Sequence, residues 1–101
     1  MSGYWVMTAV GTVERVDREN VDKRGRAPRY IYTFHVRAER TEGVPAEVSL
    51  PDLLPVRAKP VDLERMTGSP APLAVGVRIQ FRARAAERAP TTFYLVSLDP
   101  E

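Results

Sequence analysis

Residues 77–85 read Val-Arg-Ile-Gln-Phe-Arg-Ala-Arg-Ala, apolar at every odd position and polar at every even one. Successive side chains of a β-strand point to opposite faces. The segment therefore predicts a strand that buries Val77, Ile79, Phe81, Ala83 and Ala85 and displays Arg78, Arg82 and Arg84 on its outer face. An arginine-lined strand face suits a polyanion.

The rest of the chain extends this pattern. Residues 4–16 are rich in β-branched and aromatic residues and predict one long strand, with Gly11 marking a bulge or sharp bend. Residues 17–29 are polar, contain Gly25 and Pro28, and predict a loop or hairpin end. Residues 30–40 predict a second strand, with Tyr30, Tyr32, Phe34, Val36 and Ala38 on one face and Ile31, Thr33, His35, Arg37 and Glu39 on the other. After a turn at 41–44, residues 46–50 predict a short third strand. Pro51, Pro55, Pro60, Pro70 and Pro72 argue against a sheet or long helix over 51–72. A short helix over 60–67 is compatible with them, with proline in its first turn and Gly68 at its end. Residues 73–86 and 92–98 predict a fourth and a fifth strand.

Composition bounds the function. A chain of 101 residues fits a single domain. Its net charge is only +2, but 13 of its 15 basic residues are arginine, the better residue for bidentate phosphate contacts and for stacking. A GC-rich coding sequence produces the same bias. The chain has no cysteine, which excludes disulfides and thiolate-held metals, and its single histidine excludes a His-rich metal site within one chain. No metal or other cofactor is expected. The apolar run at 4–10 is too short for a membrane span and lacks the basic flank of a signal peptide, so a soluble cytoplasmic protein is expected.

Five strands with a helix between the third and fourth resemble the plan of the OB-fold, an all-β Greek-key barrel, here as one domain over residues 1–101. Leu73-Ala-Val-Gly-Val-Arg-Ile-Gln-Phe-Arg-Ala is similar to that family's entry to its fourth strand. In size and strand plan the chain resembles bacterial single-stranded DNA-binding proteins and the small primosomal replication protein of the same fold. It carries no long acidic, glycine-rich tail, a departure that points to an accessory, plasmid or phage protein.

The resemblance implies a ligand on the face of strands 2 and 3, flanked by the loops joining strands 1–2 and 4–5. The first loop supplies Lys23, Arg24, Arg26 and Arg29 for electrostatic capture of phosphates. Trp5, Tyr30 and Tyr32 are the candidate stacking rings, each also a candidate core residue. His35 and Arg37 lie on the polar face of strand 2, and Arg78, Arg82 and Arg84 extend the path. Scattered acidic residues oppose this reading, because Glu39 and Glu47 beside Arg37 and Arg84 would neutralise the face. Thr92, Tyr94, Val96 and Leu98 form an apolar outer strip on the last strand, suited to self-association.

The expected function is non-enzymatic binding of single-stranded nucleic acid, DNA rather than RNA, with low sequence specificity. The alternative is an OB-like protein-interaction module, a homodimer or a subunit of a larger assembly. The sequence shows no nucleophile with a base, no paired-carboxylate motif and no phosphate-binding glycine loop.

Overall fold

The computed structural model describes residues 5–21, 29–85 and 92–99. Five strands and one helix follow in the order β1 (Trp5–Asn20), β2 (Tyr30–Glu42), β3 (Leu53–Ala58), α1 (Pro60–Thr67), β4 (Arg78–Ala85) and β5 (Phe93–Asp99). The strands close a barrel in the order β1-β2-β3-β5-β4, with every neighbouring pair antiparallel except β3 and β5. This is an all-β, five-stranded OB-type barrel with a short helix between its third and fourth strands.

β1 makes closure possible by belonging to both halves of the barrel. Its first part pairs with β4 from Trp5 to Thr12, and it pairs with β2 from Thr8 to Asn20. The register with β2 slips twice, between Val10 and Gly11 and between Val13 and Arg15. The unmatched residues are Glu39 on β2 and Glu14 on β1. Such bulges bend a strand and re-aim a side chain. Gly11 stands at the first slip for a steric reason. A Cβ there would lie 2.5 Å from the Arg37 carbonyl oxygen and 2.8 Å from a Val36 methyl carbon.

The core follows the alternation. Met7, Val13, Phe34, Val36, Leu54, Phe81, Ala83, Ala85 and Phe93 are fully or almost fully buried. Each large apolar side chain so buried contributes about 1.5–3 kcal/mol. Leu63 of α1 plugs the barrel and is completely buried. Pro60 opens the helix and Gly68, with φ of 86°, closes it, its N–H donating to the Glu64 carbonyl at 2.8 Å.

Several expectations need correction. Residues 46–50 form no strand; β3 instead lies inside the proline-rich segment, with Pro55 in it opposite His35. Among the described residues β3 pairs with β5 only at Val56 and Arg57, so Pro55 has no partner on β5 and a missing N–H is tolerated there. Residues 17–20 are strand rather than loop, pairing with residues 30–33 despite having no apolar alternation. β4 starts at Arg78 rather than residue 73, because Gly76 turns the chain with φ of 95°. Val77 is consequently exposed rather than buried, and its carbonyl accepts from the Val13 N–H at 2.9 Å. Ile31, expected on the outer face, is buried. Leu98 is not on the outer strip of β5. Val96 is unmatched between Leu95 and Ser97, and this bulge turns Leu98 toward the core opposite buried Phe81.

Candidate nucleic-acid interface

The expected basic face is present but largely paired with carboxylates. Arg37 on β2 binds Glu14 with two nitrogens, and Arg78 on β4 donates to Glu39 at 2.6 Å. Both glutamates are the unmatched bulge residues: Glu14 meets Arg37 of the neighbouring strand β2, and Glu39 reaches across β1 to Arg78 of β4. The anticipated neutralisation therefore occurs with different partners from those named by the sequence. Glu39 faces Arg78, and Glu14 faces Arg37. Glu14 also holds the Arg37 guanidinium above its ordinary pKa.

His35 lies 2.8 Å from the Asp17 carboxylate, and Arg15 binds the same carboxylate at 2.9 Å. These two partners, Arg15 first, hold Asp17 below the usual carboxylate range. The Arg15–Asp17 pair lies at the solvent-exposed surface, where ion pairing is weak.

The aromatic candidates sort by packing. Trp5 packs edge-on against Phe93 with ring centroids 5.9 Å apart. Tyr32 stacks on buried Phe34 at 6.3 Å. Tyr30 is half-buried beneath the Arg18 guanidinium, which lies 4.5 Å from its ring centre. The described aromatic side chain with the greatest exposure is Tyr94, at 38%.

Tyr94 sits at the centre of a row that crosses the strands. Asp17 of β1 opposes Thr33 of β2, Thr33 opposes Arg57 of β3, Arg57 opposes Tyr94 of β5, Tyr94 opposes Arg84 of β4, and Arg84 opposes Val6 of β1. The row thus sets an exposed ring between two guanidinium groups. The Arg84 guanidinium lies 5.7 Å from the Tyr94 ring centre. Arg57 is half-buried and reaches Glu19 at 3.6 Å. Arg82, one outward position further along β4, is exposed and makes no ion pair among the described residues.

Of the twelve residues expected at the site, the row contains Arg84, with Arg82 beside it. His35, Arg37 and Arg78 lie on the adjoining ion-paired face, and Trp5, Tyr30 and Tyr32 are partly packed against their neighbours. Arg29 stands apart, at the base of the β1–β2 hairpin. Lys23, Arg24 and Arg26 lie outside the described residues. Sequence reasoning missed Arg57, because the prolines around it hid the alternation of Leu54, Val56 and Ala58 with Leu53, Pro55 and Arg57.

The fold and this row define a small barrel with a mixed basic and aromatic outer stripe. No protein-family model, curated protein or solved structure matches the chain. Among the described residues, no helix is long and apolar enough to cross a membrane. Among the same residues, no cluster of three or more His, Cys, Asp or Glu side chains is placed to hold a metal ion.

Proposed function

We propose that this protein binds single-stranded nucleic acid, DNA in preference to RNA, across the outer face of β3, β5 and β4, and acts by binding alone. The observation that carries this reading is the adjacency of Arg57, Tyr94 and Arg84 on three neighbouring strands. A base stacks on the tyrosine whatever its identity, which yields low sequence preference, and the guanidinium over the ring adds a cation–π contribution. Phosphates on either side of that base meet Arg57 on one flank and Arg84 and Arg82 on the other.

Fluorescence anisotropy of a labelled single strand, with duplex as control, tests this. The proposal requires micromolar or tighter binding that prefers the single strand and weakens with salt by about 0.7 log units per phosphate contact. Absence of binding at low salt overturns it. The second reading, a protein-interaction module, is favoured by the exposure of Val6 and Val96 beside the same row. Concentration-dependent association without oligonucleotide affinity supports that reading instead.

A further inference from the structure

A second concave site lies away from this row, where the base of the β1–β2 hairpin meets the start of α1. Its volume is about 510 Å³, and Val21, Arg29, Tyr30, Ile31, Pro60 and Val61 line it together with Lys59. Cavities of this size with an apolar lining and few polar groups are typical ligand sites. Both walls are held by backbone. The Val21 N–H donates to the Arg29 carbonyl at 2.8 Å, which fixes one wall beyond the end of the strand pair. Lys59 is extended and followed by the fixed ring of Pro60, and its carbonyl accepts from Asp62 and Leu63.

Its chemistry is one-sided. Val21 and Val61 are among the more exposed large apolar side chains of the described surface, at 45% and 66%. Arg29 and Lys59 are exposed cations that make no ion pair among the described residues. Among the described residues, Asp62 is paired with Arg65 and Glu19 with Arg57. We infer that the cavity binds a partner peptide that inserts one bulky apolar side chain between flanking carboxylates. An apolar side chain matches Val21, Ile31, Pro60 and Val61, the aliphatic part of the lining beside the Tyr30 ring. The flanking carboxylates answer Arg29 and Lys59.

The test is calorimetric titration of the full chain with a short synthetic peptide bearing a central leucine flanked by aspartates. Two control peptides carry alanine for the leucine or asparagines for the aspartates. The expected result is binding by the first peptide that weakens at least about tenfold with either control. The same loss is expected with R29Q, K59Q and V61D, all substitutions at exposed positions, with the fold of each variant checked by circular dichroism. No binding of the leucine peptide overturns the inference, as does equal binding of all three peptides or of all variants. Thymidine monophosphate is the remaining arm. If it binds and R29Q and K59Q abolish that binding while the peptide does not bind, the site is a nucleotide site and the inference fails.

Discussion

Arg57 and Tyr94 face each other across the parallel junction of β3 and β5, one of two residue pairs that join these strands among the described residues. The most exposed aromatic side chain among the described residues thus stands at this closing junction. Arg84 of β4 stands on the far side of Tyr94, its guanidinium 5.7 Å from the ring centre.

Tyr94→Ala is expected to weaken single-strand binding by about 1–3 kcal/mol, the contribution of one stacked base. Its ring is exposed, so the melting temperature should change little. Anisotropy on the variant checks this, and unchanged affinity removes the tyrosine from the interface.

Arg84→Gln and Arg82→Gln each remove one phosphate contact. Each is expected to flatten the salt dependence by about 0.7 log units per log unit of salt, with weaker binding to every sequence alike. An unchanged slope places the strand elsewhere on the barrel.

Much of this architecture is legible in the sequence, and the losses have physical causes. The Val-Arg-Ile-Gln-Phe-Arg-Ala-Arg-Ala run shows β4 because one face is core and the other solvent. Pro60 and Gly68 mark both ends of α1. β3 is hidden because Pro55 reads as a strand breaker, and only the tertiary pairing reveals that it has no partner on β5 among the described residues. The end of β1 is hidden because residues 17–20 are polar on both faces and are held by pairing with β2 and by ion pairs. The site is less legible than the fold. Arginines announce themselves in a sequence, but which of them meet carboxylates depends on the two bulges at Glu14 and Glu39.

Gly11→Ala is expected to destabilise the barrel by about 1–3 kcal/mol, the usual cost of overpacking. The added methyl would fall 2.5 Å from the Arg37 carbonyl oxygen and 2.9 Å from the Ala38 Cα, both backbone atoms. Urea denaturation measures the loss. A variant as stable as the parent would show that the bulge relaxes freely.

Phe81→Ala is expected to cost about 3–5 kcal/mol, because the ring is completely buried in the shared core. The same denaturation experiment reads it, and a loss below about 1 kcal/mol would contradict the placement of the core.

Asp17 supplies a pH dependence whose sign is fixed. Arg15 and His35 depress its pKa in the folded state, so it adds stability above its unfolded value and loses it as pH falls through the folded value. Asp17→Asn should therefore lower the melting temperature at neutral pH and converge with the parent in strong acid. A difference of equal size at both pH values would rule out the ion pair as its cause.

The most direct test of the central claim is a nuclear magnetic resonance titration of isotope-labelled protein with a single-stranded oligonucleotide at low salt. The predicted result is a contiguous set of shifted amides at Arg57, Tyr94 and Arg84, crossing three strands in one row. Shifts confined to other faces of the barrel, or none at all, would contradict it.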